Sequence, residues 1–379
     1  MSVYNIAMDN LRIVESFNNV ETTEEHNGYI YSVGRALAIV ILGSLCGLRS
    51  VSQISQWSFD PKVREFLRVN FSIYSVPCYW WLLSLLKIVK PESLSHHFAL
   101  WVSGILPENL KDLTLCFDGK SIRSTGKMSE YDKPLHILTA YVAELGMSVN
   151  QKTVGKKKNE IPAMQELLRL IDINGCMVVA DALHCQTKTP EAIVNGGGDY
   201  LLSVKGNQET LMQDIDDYVQ DSELRADMDT AQTCEKNGGR IEVRTAYTTG
   251  DIDWFEDKDK WTGLVCMGAI NAEFTNSAGV QTNEWRYFIS SRNLSAKDLL
   301  KYARNEWRIE SLHWLLDVHF DEDNSRIRDE SINQNLNIAR KIALNIIRNH
   351  KNTTNSKLPI SKIMFGCLLD CEAIKQLNP

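Results

Sequence analysis

Hydrophobic positions along the chain follow two regimes that change near residue 108. Before that point apolar residues recur at helical spacing. Residues 36–48, 63–71 and 78–89 predict helices, and Pro91-Glu92-Ser93 opens another that runs to about residue 105. Beyond it, short apolar runs alternate with amphipathic stretches. Residues 113–118, 176–181 and 200–204 predict buried strands, and residues 136–144 and 147–154 predict a hairpin around Leu145-Gly146. Residues 160–173, 189–195 and 208–218 predict the helices between them. This alternation predicts an α/β fold with a mixed sheet, hairpin strands first and parallel crossovers after.

The alternation breaks at residue 232. Residues 241–249, 264–274 and 285–290 read as strands separated by Gly, Asn and Asp turns, and helix returns at 296–320 and 332–350. The expected organisation is a helical domain over 1–108, a first part of the α/β core over 109–231, a β-rich insertion over 232–293, and the rest of the core with basic C-terminal helices over 294–379. In the last long helix Ile332, Leu336, Ala339, Ile342, Ala343 and Ile346 form a stripe that should dock on the core. Arg340, Lys341 and Arg348 fall off that stripe and would be free to meet phosphates.

Composition adds limits. The chain has 379 residues, 44% hydrophobic and 23% charged, which is globular and long enough for two or three domains. Its net charge of −7 weighs against a nucleic-acid protein, but the charge is uneven. Lys152, Lys156, Lys157 and Lys158 cluster, and the segment after Arg326 is rich in Lys and Arg, so a basic groove is compatible with the total. Nine scattered cysteines and an acidic start without a charged-then-apolar leader predict a reduced, cytoplasmic protein. The longest apolar run, residues 36–48, is too short to cross a bilayer, so no membrane is expected as a partner.

Three acids carry the candidate chemistry. Asp118 follows Leu113-Thr114-Leu115-Cys116-Phe117, and Asp181 follows Met177-Val178-Val179-Ala180. A buried strand that stops at an Asp offers a carboxylate at the sheet edge, where open sheets place ligands. A lone strand-end Asp is more often a cap or turn former; the pair says more than either. Glu310 lies on a late helix among Glu306, Asp317, Asp321, Glu322 and Asp323, and shares a helical face with Trp307, Trp314 and Asp317. Hard carboxylates of this kind suit two Mg²⁺ or Mn²⁺ ions, a donor set for phosphoryl transfer on nucleic acid backbones. Lys205-Gly206-Asn207-Gln208 follows the third strand, where a glycine lets backbone amides approach a phosphate beside Lys205 and Asn207. Arg240 opens the insertion, and either contacts a phosphate or pairs across a hairpin.

These segments, taken in order, resemble one family. Asp118-Gly119-Lys120, Lys158-Asn159-Glu160-Ile161, Asp181-Ala182-Leu183-His184-Cys185-Gln186, Lys205-Gly206-Asn207-Gln208, Gly239-Arg240-Ile241-Glu242 and Trp307-Arg308-Ile309-Glu310 look like its successive motifs. The family is the DDE transposases of the ISAs-type insertion sequences, also called H-repeat-associated proteins. The resemblance runs from about residue 28 to 350. It implies a ribonuclease-H-like core with helices on both faces of its sheet. A β-rich insertion would precede the helix bearing the glutamate, and a transposase-associated helical domain would come first. Asp118, Asp181 and Glu310 would then be the catalytic acids and metal ligands.

The activity implied is metal-dependent cleavage and strand transfer at the ends of a mobile element, in a bacterial cytoplasm. The partner implied is double-stranded DNA, both element ends and target, with a homodimer assembled on it. Lys120, Arg123, Lys205, Asn207, Arg240, Arg304 and Arg308 are the expected strand contacts, beside Arg340, Lys341 and Arg348. The chain departs from the pattern at Ser311, where relatives usually carry Asn, and at Glu306, where they often carry His. Asp317 stands where a wider helix motif carries Lys. A relative that only binds DNA, and a metal-dependent nuclease without strand transfer, stay open as alternatives.

Overall fold

The computed structural model describes residues 12–24, 31–107, 110–126, 134–155, 160–237 and 240–379. The Lys156-Lys157-Lys158 cluster and the Gly238-Gly239 pair lie outside the described residues. Among the described residues, a helical segment over 12–16 and five further helices precede the sheet: α1 (Val33–Leu45), α2 (Val51–Phe59), α3 (Pro61–Phe71), α4 (Tyr79–Ile88) and α5 (Pro91–Ser103). Their starts are set by local chemistry. Ser32 caps α1, Ser50 and Gln53 form a capping box on α2, and Asp60 accepts from the amides of Lys62 and Val63 ahead of α3. Helix α2 escapes the hydrophobic pattern because Ser and Gln fill much of it; the capping box is its clearer signal.

The first strand, β1 (Thr114–Ile122), pairs antiparallel with β2 (Leu135–Val142), which turns back into β3 (Met147–Val154). Helix α6 (Glu160–Leu170) leads to β4 (Met177–Ala180), α7 (Lys188–Asn195) to β5 (Asp199–Val204), and α8 (Glu209–Gln220) follows. Both β1–β4 and β4–β5 pair in parallel. Strand β1 does not stop at Asp118, as the apolar run suggested. Pairing with β2 carries it through Gly119, Lys120 and Ser121 to Ile122, because backbone bonds continue where apolar side chains end.

Strands β6 (Asp229–Asn237), β7 (Arg240–Thr249), β8 (Cys266–Thr275) and β9 (Gln281–Ser290) form an antiparallel meander. Its last strand pairs with β5, so the meander continues the same sheet. The full order is β3-β2-β1-β4-β5-β9-β8-β7-β6. The part from β3 to β5 is the ribonuclease-H-like arrangement that the resemblance implied. Strand β6 lacks an apolar signal, since Asp, Thr, Gln, Glu and Lys dominate it; backbone pairing with β7 alone defines it.

The late segment expected as one helix is two, α9 (Ala296–Glu306) and α10 (Arg308–Phe320), parted at Trp307. Then comes α11 (Glu330–Thr354) and, after it, α12 (Ile360–Leu369). The apolar stripe of α11 does dock, but the helix is buried on more than that face. It lies between β3 and the helices α1, α4 and α5. Its polar residues are therefore paired internally. Asn335 donates to the carbonyls of Leu86 and Val89, and Asn345 exchanges hydrogen bonds with the backbone of Ser148.

Arg340 and Lys341 correct the sequence reading. They are 5% and 1% exposed, and their polar ends meet partners inside the fold. Arg340 meets the buried Glu322 carboxylate at 3.1 Å and donates to the Arg49 carbonyl at 3.0 Å. The Lys341 ammonium donates to Thr139 Oγ1 and Gln151 Oε1, each at 2.7 Å. A stripe on one face cannot reveal that a second layer covers the other.

Burial pushes Lys341 down from 10.5 to about 7, against the pull of Glu322. Between those values the unfolded chain binds a proton that the folded chain lacks, so this group's contribution to stability rises with pH there. Lys341→Met should remove that rise. Urea unfolding of both proteins at several pH values between 7 and 9 checks it: the parent's free energy should climb relative to the variant's by up to roughly 1.4 kcal/mol per pH unit. Parallel pH dependences would contradict it.

Candidate active site

The register of β1 against β4 builds the site. Phe117 pairs with Ala180, and Cys116 with Val179. Asp118 is the next residue on β1 and Asp181 is the first residue past the end of β4, so both acids follow the same paired level of the sheet, where neighbouring backbones are about 4.8 Å apart. Side chains alternate, so both acids share the face of Cys116 and Val179. Helix α9 covers that face: the Cys116 thiol donates to the Asn305 carbonyl at 3.4 Å.

Alternate residues of β1 meet successive turns of α9 and α10. Thr114 accepts from Asn305 at 2.8 Å. Asp118 Oδ2 lies 3.1 Å from His313 Nε2, and the Lys120 ammonium pairs with Asp317. His313 and Asp317 are four apart and so share one helix face, matching Asp118 and Lys120 two apart on one strand face. The Asp118 carboxylate is still 43% exposed, open to solvent beside its histidine.

Behind this contact lies a buried ionic cluster. Glu322 is 1% exposed, with Arg340 at 3.1 Å, Lys120 at 3.7 Å and an amide donated by Asn337 at 2.9 Å. Burial alone would raise its pKa; the Arg340 and Lys120 charges and the Asn337 bond hold it below the usual carboxylate range. Lys120, expected to touch DNA, is thus committed inward, with only 12% of its side chain exposed.

Asp181 is exposed and also caps a short turn, Ala182–His184, by accepting from the Leu183 amide at 3.0 Å. Asn207, expected beside a phosphate, is exposed and has a structural bond as well. Its side chain donates to the Ala182 carbonyl at 2.6 Å, and Gln208 donates to Cys185 at 3.0 Å, so this pair ties down the Asp181 turn. Lys205, just before them, is exposed.

Glu310 sits in the exposed first turn of α10, one turn before His313. The acid that feels both aspartates is another one, Glu306, the last residue of α9. Burial first, then the negative charge of Asp181 and Asp118, raise its pKa to about 7, against the pull of Arg286 and Lys205. Arg286 is a residue that the sequence reading missed, and Glu306 entered it only as one of several acids around Glu310. The helix break at Trp307 tucks Glu306 in, and Arg286 reaches the opening from β9 while lying 5.1 Å over the Trp307 ring. Neither position carries a sequence signal apart from Glu306 standing where relatives often carry His. Among the described residues, no three His, Cys, Asp or Glu side chains converge as a ready metal cluster.

The remaining basic candidates are scattered. Arg123 is 86% exposed beside Asp323. Arg304 pairs with Glu235 at 2.6 Å, and Arg240 stacks over Phe274 at 3.8 Å. Arg308 donates to the Ala143 carbonyl at 3.2 Å. Arg348 is half-buried and packs over Gly146, whose φ of +70° suits the β2–β3 turn.

Comparison with known proteins adds the relatives. The family described as "Transposase DDE domain" matches residues 109–346. The Escherichia coli (strain K12) protein named "Putative protein YbfL" is 31% identical over 352 residues, covering 91% of this chain and 90% of that protein. From the same organism, "H repeat-associated putative transposase YhhI" is 30% identical over 333 residues, 85% of this chain and 87% of its own length. A cryo-EM structure of a piggyBac transposase synaptic complex with hairpin DNA covers 99% of this chain and 80% of that one, at 10% identity and a TM-score of 0.47, a level that supports no further step. The family match over most of the chain, joined to relatives alike along nearly their whole length, means that this protein belongs to the DDE transposases.

Proposed function

We propose that this protein is a transposase that cuts and rejoins DNA at the ends of its mobile element, with Asp118 and Asp181 as its central catalytic carboxylates. The observation that carries this reading is the Phe117–Ala180 register, after which Asp118 and Asp181 each come next along the chain, at the same level of the sheet. The donor set fits a divalent cation. Two hard carboxylates follow one level of the sheet, and a third acid, Glu306, has its pKa raised first by burial and then by their negative charge, which a cation would offset. Asp118 and Asp181 would hold the metal, Mg²⁺ or Mn²⁺, with Glu310 completing the set from the neighbouring turn. When bound, such ions supply activation of the attacking oxygen and stabilisation of the leaving one.

The protein's own groups have separable tasks. His313 braces the Asp118 carboxylate through Oδ2 and leaves its exposed side open. The Asp181 turn is fixed by Asn207 and Gln208. Lys205 and Arg286 bring positive charge to the same opening, where a phosphodiester would carry its negative charge. Two protomers on DNA fit the need to bring two element ends together.

The test uses a duplex carrying the sequences that flank the gene. Asp118→Asn and Asp181→Asn should each lower cleavage by two orders of magnitude or more, about the loss seen when a main electrostatic group is removed. Gel-shift affinity should stay near the parent's. Excess chelator should abolish cleavage in the parent. An Asn variant that cuts like the parent would remove that residue from the site, and cleavage without joined products would make the protein a nuclease.

Phosphate contacts release counterions, so they show in the salt dependence of binding. Lys205→Ala should flatten the plot of log affinity against log salt by about 0.9, equally for any DNA sequence. An unchanged slope would put Lys205 outside the DNA path.

A further inference from the structure

The Asn159-Glu160 motif takes no part in the chemistry above, yet Glu160 sits between the two strands that carry it. Its Oε1 lies 2.7 Å from His136 Nε2, and its Oε2 lies 3.3 Å from His184 Nε2. His136 is on β2, paired in register with Ser121 of β1, whose hydroxyl meets His136 Nδ1 at 2.8 Å. His184 is buried and closes the turn that Asp181 caps. One carboxylate therefore links the strand of Asp118 to the turn of Asp181, from the sheet face opposite to the two acids.

The space for this link is provided by Gly119, the residue after Asp118. A Cβ there would fall 2.4 Å from Glu160 Oε1 and 2.5 Å from His136 Nε2. Burial would raise the pKa of Glu160, but hydrogen bonds from His136 and His184 bring it down to about 2, so the bridge is made by an ionised carboxylate. From the other side Asn207 and Gln208 hold the same turn. The strand pairing of β1 with β4 ends at Ala180, so beyond it the spacing of the two acids is not set by β1–β4 backbone bonds.

We propose that Glu160 is a positioning residue that, through His136 and His184, fixes the Asp181 carboxylate relative to Asp118. This rests on the reading of Asp118 and Asp181 as the catalytic carboxylates. The bridge predicts that loosening it spreads the two acids and weakens their joint hold on a cation before it harms the fold or DNA binding.

The experiment compares the full chain with Glu160→Gln and His136→Ala. Mn²⁺ binding is measured by calorimetry, cleavage of the flanking-sequence duplex is followed against Mn²⁺ concentration, and thermal unfolding is recorded without metal. Glu160→Gln should raise both the Mn²⁺ dissociation constant and the Mn²⁺ concentration for half-maximal cleavage at least tenfold. Saturating Mn²⁺ should restore most of the rate, and gel-shift affinity should not change. His136→Ala, which leaves the Glu160–His184 contact in place, should shift both in the same direction by less, and it serves if Glu160→Gln does not fold. Unchanged Mn²⁺ dependence in the folded variants overturns the proposal. So does a fall in activity that follows melting temperature and persists at saturating Mn²⁺, which makes the cluster a brace of the fold. Parent-like cleavage by Asp118→Asn would instead remove the assignment of the acids, and this proposal with it.

Discussion

The parallel pairing of β1 with β4 is the constraint on which the site depends. Two segments far apart in sequence are fixed by main-chain hydrogen bonds in a single register, and a shift of one residue would turn every side chain to the other face. The solid apolar runs before Asp118 and Asp181 enforce that register from both sides, because each strand is buried on both faces up to the acid. Polarity begins on both strands at the same level of the sheet, which is why two carboxylates meet there and remain wet.

The helices turn that level into a site. Thr114, Cys116, Asp118 and Lys120 project toward α9 and α10: the first two meet Asn305, Asp118 meets His313 and Lys120 meets Asp317. Lys120 passes the contact on to Glu322, and Glu322 to Arg340 on α11, whose guanidinium reaches the carbonyl of Arg49 in the N-terminal helical layer. The helices of the first hundred residues are thus joined to the strand of Asp118 by a chain of charges buried within the protein. Such a chain costs desolvation and is stable only when complete, so removing one member should be felt along its length.

Much of this was legible in the sequence, for stated reasons. Asp118 and Asp181 stand out because an apolar run ends on each. The α/β alternation and the insertion are visible because their periods differ from the helical segment before them. What escaped is what depends on a second layer. Arg340 and Lys341 look exposed beside a stripe, but α1, α4 and α5 cover the remaining face of α11. Glu306 looks like one acid among several until the fold buries it within reach of the charges of Asp181 and Asp118. Asn207 reads as a phosphate contact in a glycine turn, and its bond to the Ala182 carbonyl shows only in the fold. Strand β6 and helix α2 are polar enough that pairing and capping define them.

The central claim is that Asp118 and Asp181 together hold the metal on which catalysis depends. Anomalous scattering from crystals of the full protein grown with Mn²⁺ and the flanking-sequence duplex tests it most directly. The account predicts manganese peaks in coordination distance of both carboxylates, on the face covered by α9 and α10. Peaks confined to other acids, with Asp118 and Asp181 unliganded beside the DNA, would contradict it.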